Sequence, residues 1–366
     1  MVEMAKSKGP GCRYGSHRVL EPKGVLPQAA WKIDNSPLLY DNEMLVDVRT
    51  LNIDAASFKQ ILSTCPEGLS DPQREQFVAD AVLGIVQKRG KMHNPVTGSG
   101  GMLLGTIKQF GPDAPRRDGV KVGDRIATLV SLSLTPLHIE RIRKVYLDKD
   151  QIDIQGTAVV FASGPYAVIP EDLGERLSLA LLDVAGAPAQ AARLVKKGDS
   201  VLVLGAGGKS GLICSAVAKK LCGERGRVIG LAHGRASSER ARKLGAADVV
   251  ISADATDALA TMEAVMQANG GKKVDLTINC VNIPGTEMAS ILPTRDGGKV
   301  YFFSMATSFT AAALGAEGVG ADVELIIGNG YATHHARIAV DLIRSDAKLR
   351  SALEEMFPDD PDDPRR

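Results

Sequence analysis

The sequence predicts an α/β protein in which a doubly wound parallel sheet follows a smaller, mostly β domain. Two observations support the sheet: apolar runs alternate with helical segments after about residue 200, and a glycine-rich turn follows the first run. Continuous apolar strands separated by helices are typical of a parallel sheet that is covered on both faces. In the first half of the chain, short strand-like stretches are instead separated by glycine and proline turns, which favours a β domain.

The parallel sheet is expected to contain six strands. These are residues 201–204, 227–231, 248–252, 275–281, 299–304 and 323–328. Helices are predicted between the first five strands, over residues 210–222, 237–244, 258–268 and 286–291. Six strands with a glycine turn after the first are the Rossmann arrangement, which binds dinucleotides.

In the β domain, two stretches differ from the strand pattern. Residues 71–89 read as an amphipathic helix, and residues 139–161 are either a charged helix or a strand excursion. We expect a catalytic domain over residues 1–185, a dinucleotide-binding domain over 186–335 and a helical segment over 336–357. The remaining residues, 358–366, are rich in proline and charge and are predicted to be disordered.

The glycine turn is VLVLGAGGKSG, residues 201–211. A Walker phosphate loop would need glycine five residues before Gly208, where the chain has Val203. The regular spacing is Gly205-x-x-Gly208-x-x-Gly211, which allows a sharp turn and close approach of the backbone to a pyrophosphate at a helix N-terminus. The candidate cofactor-binding residues here are Gly205, Gly207, Gly208, Lys209, Ser210 and Gly211.

Composition excludes several classes of protein. The 366 residues carry 44 basic and 43 acidic side chains, so there is no electrostatic footprint for nucleic acid or a membrane surface. No apolar run is long enough to span a membrane, and residues 1–15 lack the apolar core of a secretion signal. The five cysteines form no C-x-x-C pairs, which argues against a disulfide framework. We therefore expect a cytoplasmic protein.

Four motifs in order resemble the medium-chain dehydrogenase/reductase superfamily: KVGDRIATL at 121–129, YAVIPEDL at 166–173, ARKLGAADVVI at 241–251 and GGKVYFFS at 297–304. The resemblance covers nearly the whole chain. It implies a GroES-like catalytic domain before the Rossmann domain, and a nicotinamide cofactor, NAD(P).

Longer stretches outside that general pattern resemble diamino acid dehydrogenases of bacterial lysine fermentation. They are residues 14–35, 89–106, 129–140, 181–190 and 304–320. This resemblance implies oxidative deamination of a small diamino acid at its C3 amine. One alternative is a zinc-independent NADPH quinone or enoyl reductase. Such an enzyme would favour an apolar, aromatic site, whereas only 4% of the residues of this chain are aromatic. Another is a catalytically silent nucleotide-binding protein.

Many members of the superfamily hold a catalytic zinc, and the corresponding positions here lack its ligands. The first catalytic loop, residues 51–58, has no cysteine, and Gly98-Ser99-Gly100 stands at the usual Gly-His-Glu place. The region of 183–186 also lacks cysteine. Because zinc needs converging Cys, His or carboxylate ligands, we predict no metal, as in the zinc-free branch of the superfamily.

The end of the second Rossmann strand bears on the choice of cofactor. An acid there normally binds the ribose of NAD, but the chain reads Leu231-Ala232-His233-Gly234-Arg235. His233 and Arg235 suit the extra phosphate of NADP, while the alternative is that Arg235 is a solvated charge opening the next helix. Ser304 is expected to line the nicotinamide through its backbone.

Deamination needs a base for the amine and charged partners for the substrate. Asp54 is the first candidate for base or amine anchor, with helix capping as an equal alternative. Asn52 points the same way if the segment is extended. Asp183 is the second carboxylate, Lys23 a candidate carboxylate partner and His138 a further candidate. The apolar sixth strand predicts a homodimer.

Overall fold

The computed structural model describes residues 7–116 and 119–358, and it divides the chain into two compact units. Unit 1 contains the described residues up to Leu179 and unit 2 those from Ala180 onward. The predicted disordered tail lies outside the described residues from residue 359. Within the described ranges, none of the helices combines the length and apolar character that crossing a bilayer requires.

Unit 1 is built on a six-stranded antiparallel sheet. A short 3-10 helix, Ser16–Arg18, precedes its elements, which are β1 Val19–Glu21, β2 Lys32–Ile33, β3 Met44–Ile53, α1 Ala55–Ser63, α2 Asp71–Arg89, β4 Gly101–Phe110, β5 Arg125–Thr128, β6 Leu137–Tyr146, β7 Gln151–Val160 and β8 Tyr166–Val168. Helix α3, Glu175–Asp183, begins in unit 1 and ends in unit 2. The strand order is β6-β7-β3-β4-β5-β8, and β1 and β2 form a separate two-stranded ribbon.

The predicted helix over residues 71–89 is confirmed as α2. Ser70 and Gln73 form a capping box at its start, a proline occupies the first turn, and Gly90 ends it in the left-handed conformation. Its buried face, which includes Val82 and Val86, packs into the core formed with β3 and β7.

The stretch at residues 139–161 is a pair of strands, β6 and β7, and not a helix. The reason is visible in β6, where the buried Leu137 and Ile139 alternate with the exposed His138 and Glu140. This two-residue period suits a strand that faces a core on one side.

A fully buried ion pair holds the N-terminal segment of unit 1. Arg18 donates from Nε and Nη2 to the two carboxylate oxygens of Glu43, each at a distance of 2.7 Å, and neither residue is exposed. Burial alone would raise the pKa of Glu43, but hydrogen bonds from Arg18 and His17 bring it below its ordinary value. The charge of Glu43 is therefore retained inside unit 1.

Unit 2 contains the parallel sheet. Its elements are α4 Gly186–Leu194, β9 Ser200–Leu204, α5 Lys209–Cys222, β10 Arg227–Ala232, α6 Arg235–Leu244, β11 Val249–Ser252, α7 Ala258–Ala268, β12 Val274–Asn279, α8 Glu287–Ile291, β13 Thr294–Phe302, α9 Phe309–Gly318, β14 Glu324–Ile327, α10 His335–Ser345 and α11 Ala347–Met356. The order β11-β10-β9-β12-β13-β14, with every neighbouring pair parallel, is the Rossmann order 3-2-1-4-5-6. The predicted fold class is confirmed.

One strand end and two helices of unit 2 differ from expectation; helix α4 was not predicted. Strand β13 runs from Thr294 to Phe302, so Ser304 lies beyond its end and does not terminate it. Helix α9 was not predicted, because its glycine-rich sequence reads as a loop; Ser308 caps it by accepting from Ala311 N at 3.2 Å.

Candidate cofactor and substrate sites

The glycine turn of unit 2 lies at the switch point of the sheet, between β9 and β12, where ligands of this fold bind. Gly205 has φ of +80°, which favours glycine. A methyl group on Gly207 would lie 2.0 Å from Ser237 O, and one on Gly211 would lie 2.0 Å from Gly205 O. The turn is therefore closed to larger side chains at two places.

The start of α5 fits the diphosphate of a dinucleotide. Gly208 is the N-cap, with no side chain capping the first turn, so its N–H groups and the positive end of the helix dipole face outward. Arg240 Nε donates to Gly207 O at 2.9 Å and fixes the turn. Gly208, Lys209 and Ser210 are half-buried and lie at the point where an anion would approach.

Asp183 and Lys209 meet within unit 2. Lys209 Nζ donates to Asp183 Oδ2 over 2.9 Å, and each side chain is about one-fifth exposed (20% and 21%). The ammonium also lies 5.7 Å from the ring centroid of Phe357. The structure thus joins a predicted catalytic residue to a predicted cofactor-binding residue.

His233 and Arg235 lie exposed after β10. Arg235 is the first residue of α6, its side chain is 92% exposed, and its Nε donates to Glu239 at 2.7 Å. Asp254, two residues past the end of the neighbouring strand β11, places a carboxylate near His233. Hydrogen bonds from Thr256, assisted by the charge of His233, hold the pKa of Asp254 below its ordinary value. Its place two residues after β11 was the available sequence signal.

Ser304 is almost fully buried, at 5% exposure. Its hydroxyl donates to Asn282 Oδ1 and accepts from Ala306 N, both at a distance of 3.1 Å. Because the hydroxyl is engaged on both sides, contact with a nicotinamide through the backbone remains the prediction for this residue.

In unit 1, Asn52 lies near the end of β3 and Asp54 follows the strand. Asp54 is the N-cap of α1, and its Oδ1 accepts from Ala56 N at 3.0 Å. Asn52 is 3% exposed, and its Oδ1 accepts from Gln151 Nε2 at 3.2 Å. A methyl group on Gly101 would lie 1.9 Å from Asn52 O, so the start of β4 is packed closely against this strand end.

A ring of three hydroxyls lies beside Asp54, formed by Ser57, Thr97 and Ser99. Ser57 Oγ lies 2.6 Å from each of the other two oxygens, which lie 3.2 Å apart. Asn94 holds the backbone of two ring residues, since its Oδ1 accepts from Thr97 N and its Nδ2 donates to Ser57 O, each at 3.4 Å. The sequence gives no signal for the ring, because Ser57 lies 40 and 42 residues from Thr97 and Ser99 in the chain.

The structure places Lys23 and His138 apart from this strand end. Lys23 is an exposed turn residue whose Nζ donates to Val19 O at 2.5 Å. His138 is exposed on β6 opposite Thr157, which pairs on its other side with Asp47 of β3. Asn52 lies five residues further along β3, or roughly 17 Å at the rise of a strand.

A cluster of cations in unit 1 has no acidic partner among the described residues. Lys91 is fully buried and its Nζ donates to Pro27 O and Gln28 O at 2.5 and 3.2 Å. Burial, together with nearby Arg89, lowers the pKa of Lys91 to about 7. Burial and the same two cations lower the pKa of His93 to about 4, so its Nδ1 accepts from Arg89 Nη2 at 3.1 Å. Through these two hydrogen bonds, Lys91 fixes the backbone of residues 27–28.

Among residues 7–116 and 119–358, no three His, Cys, Asp or Glu side chains are grouped so that they can hold a metal ion. At two of the positions where the resemblance to the superfamily implied zinc ligands, the chain has the hydroxyl of Ser99 and the ion-paired Asp183. A chemistry without metal remains the prediction.

The fold is that of the medium-chain dehydrogenases/reductases. A quinone oxidoreductase of Pseudomonas syringae pv. Tomato DC3000 matches 86% of this chain and 87% of its own, with a TM-score of 0.53 and 16% identity. A mycobacterial protein solved in complex with NADPH matches 86% of this chain and 81% of its own, with a TM-score of 0.53 and 19% identity. At these identities the likeness concerns the fold alone.

The chain belongs to the L-erythro-3,5-diaminohexanoate dehydrogenase family. It is 54% identical over 347 residues to the enzyme of that name from Acetoanaerobium sticklandii, covering 95% of this chain and 99% of the relative. The enzyme of the same name from Fusobacterium nucleatum is 50% identical over the same coverage. Residues 17–170 also match the model of the N-terminal domain of L-erythro-3,5-diaminohexanoate dehydrogenase.

Proposed function

We propose that this protein is an NAD(P)-dependent dehydrogenase that converts L-erythro-3,5-diaminohexanoate into 5-amino-3-oxohexanoate and ammonia. The observation that carries the proposal is the identity of 54% across 95% of the chain to an enzyme of that name. The dinucleotide turn at the switch point supports it, because α5 offers uncapped N–H groups to a diphosphate. The nicotinamide ring, when bound, accepts the hydride that leaves C3.

The residues of the chain have to prepare the amine for this step. An ammonium cannot push electrons into the breaking C–H bond, so a base must remove its proton, and a water molecule must later be activated for attack on the imine. Asp54 is proposed for this role or for anchoring an ammonium. Its position at the end of β3, beside Asn52 and the hydroxyl ring, supports the assignment. Asp183 is proposed as the second carboxylate, held by Lys209.

The choice between NAD and NADP rests on the turn after β10. Arg235 and His233 favour the additional phosphate of NADP, whereas Asp254 beside His233 provides a carboxylate for a ribose hydroxyl. The enzyme is therefore proposed to use both NAD and NADP as cofactors. A quinone or enoyl reductase activity has only the shared fold in its favour.

A homodimer is proposed from the edge of the parallel sheet. Strand β14 is the last strand of that sheet and Ile327 on it is 57% exposed, so an apolar edge is available for pairing with a second copy. A cytoplasmic location is proposed because Cys12, Cys65, Cys214, Cys222 and Cys280 are all free thiols.

The test is the appearance of reduced-nicotinamide absorbance with purified protein and 3,5-diaminohexanoate, with NAD⁺ and NADP⁺ in parallel. Release of one ammonia for each reduced cofactor, undiminished by a chelator, is the expected result. Protein that binds the cofactors but turns over a quinone or an enoyl thioester, and not the diamino acid, would replace the proposal with the reductase.

A further inference from the structure

One face of the unit 1 sheet carries a chain of polar groups that ends at Asn52. Asn52 and Gln151 are direct cross-strand partners on β3 and β7, and Gln151 Nε2 donates to Asn52 Oδ1 at 3.2 Å. Arg176 Nη1 donates to Gln151 Oε1 at 3.0 Å. All three residues are nearly or fully buried, at 3%, 0% and 7% exposure. The sequence-adjacent Leu51 and Ile152 point into the apolar core on the other face.

The far end of this chain is firmly anchored. Arg176 stacks on the ring of Tyr146, 3.8 Å from its centroid, and pairs with Asp153 at 3.6 Å. Asp153 in turn accepts from the hydroxyls of Thr50 at 2.7 Å and Tyr146 at 3.0 Å. Burial and the charge of Asp153 raise the pKa of Tyr146 to about 12, so its hydroxyl keeps the proton that it donates.

The chemistry of Arg176 fixes both amides. A guanidinium can only donate, so the atom of Gln151 that faces it has to be the oxygen. The amide nitrogen of Gln151 then faces Asn52, and the atom of Asn52 that meets it has to be the oxygen. The Nδ2 group of Asn52 is left to point away from the chain. This Nδ2 group has no hydrogen-bond partner among the described residues. It also does not belong to the described side-chain atoms that are completely buried without a hydrogen-bond partner.

We propose that Arg176 and Gln151 are positioning residues that fix Asn52 as a hydrogen-bond donor, and that this donor binds a carboxylate oxygen of the substrate. The proposal rests on the proposed function for the identity of that substrate. Asp54, two residues later on the same side of an extended segment, presents the opposite character, an acceptor suited to an ammonium. The strand end thus distinguishes the acidic end of a diamino acid from its amines.

Two substitutions of Gln151 separate positioning from mere structural support. In Gln151→Glu, both carboxylate oxygens accept, so the bond from Arg176 is kept while Asn52 has to turn its Nδ2 inward and its oxygen outward. In Gln151→Met, both bonds are lost and Asn52 is free to take either orientation. The matched control is Gln155→Glu, the same substitution at an exposed position of β7.

Positioning predicts that activity and stability rank the two variants in opposite order. Gln151→Glu, which turns an acceptor toward the carboxylate, should raise KM for 3,5-diaminohexanoate at least about tenfold, the scale of a hydrogen bond to a charged group. Gln151→Met should raise it only about twofold, because a random amide keeps half its donors. Yet Gln151→Met should unfold at the lower temperature, since it loses both hydrogen bonds. KM for the cofactor should be unchanged in both variants.

The result that would overturn the proposal is an activity order that follows the order of stability, with Gln151→Met the more impaired. A readout independent of turnover is the side-chain amide signal of Asn52 in NMR, assigned by its disappearance in Asn52→Asp. Its hydrogen exchange should be slower in Gln151→Glu than in wild type, and equal rates would also overturn the proposal. Wild-type protein that leaves the diamino acid unchanged would refute the proposed function, and the exchange rates would still decide the orientation of Asn52.

Discussion

The ammonium of Lys209 lies 2.9 Å from the carboxylate of Asp183, at the residue where helix α5 begins. Asp183 therefore neutralises a cation that would otherwise add to the positive end of the helix dipole. An anion bound at this helix competes with Asp183 for Lys209. The strength of that competition is open to measurement.

Asp183→Asn should bind NAD⁺ more tightly, by about threefold in Kd, because a partly exposed ion pair contributes less than about 1 kcal/mol. Lys209→Met should weaken binding by a similar factor. Isothermal titration checks both values, with Asp341→Asn, an exposed carboxylate of α10, as the control. Weaker binding in Asp183→Asn would contradict the competition, and a fall in its kcat would assign Asp183 a part in turnover.

Gly207→Ala should lose cofactor affinity by at least about tenfold and also lower the melting temperature. The added methyl would lie 2.0 Å from Ser237 O, a backbone atom, so the turn has to move. Gly318→Ala in α9 is the control, because its methyl meets nothing within 4 Å. Fluorescence quenching by NADH and thermal melting report the two effects. Unchanged affinity would place the diphosphate away from Gly207.

Glu43→Gln should reduce the free energy of unfolding by about 3 kcal/mol, because the buried Arg18 would lose its two-bonded carboxylate partner and keep only the more distant Asp34, at 3.6 Å. The control is Asp47→Asn, which breaks an exposed pair with Lys108 and should cost less than about 1 kcal/mol. Urea denaturation measures both. Equal costs for the two substitutions would show that burial does not distinguish these pairs.

Lys91 should make the stability of the protein depend on pH above neutrality. The folded-state pKa is about 7 and the ordinary value is 10.5, so between these pH values the unfolded chain binds more protons than the folded one. Stability from this group is therefore fully present above about pH 10.5 and is lost as the pH falls toward 7. The urea midpoint of wild type relative to Lys91→Met should rise between pH 7 and pH 10. A constant difference would mean that Lys91 stays charged.

Arg235→Ala should raise KM for NADP⁺ about fivefold and leave KM for NAD⁺ unchanged, if its guanidinium leaves Glu239 for a phosphate. Steady-state kinetics with both cofactors gives the comparison, and Arg225→Ala, in the turn before β10, is the control. Identical kinetics with NADP⁺ would identify Arg235 as a solvated charge of helix α6.

The Rossmann sheet was predictable because each of its signals is local. The apolar runs became β9 to β14, and the turn at Gly205 follows the first of them. Helix α9 was not predicted because its glycine and alanine residues show no hydrophobic periodicity. The region of β6 and β7 was ambiguous because a charged face is compatible with a helix as well as with a strand. In each case the missing information was which face becomes buried.

The site was less predictable because its contacts are long-range. Asp54 is placed by its own helix, and the structure gives it the capping role that the sequence allowed beside the catalytic one. The partners of Asn52 and Ser57, by contrast, lie 99 and 40 or more residues away in the chain. No spacing rule links such positions, so their pairing emerges only from the register of the sheet and the turn before β4.

The cross-strand pairing of Asn52 with Gln151 also has an evolutionary consequence. Because Arg176 sets Gln151 and Gln151 sets Asn52, a substitution at any one of the three changes which atom the strand end offers. We expect the three positions to covary when sequences of relatives are compared, with Gln151 exchanged only in lineages that have also replaced Asn52. Selection for substrate recognition would then act on Gln151, a residue whose side chain is fully buried.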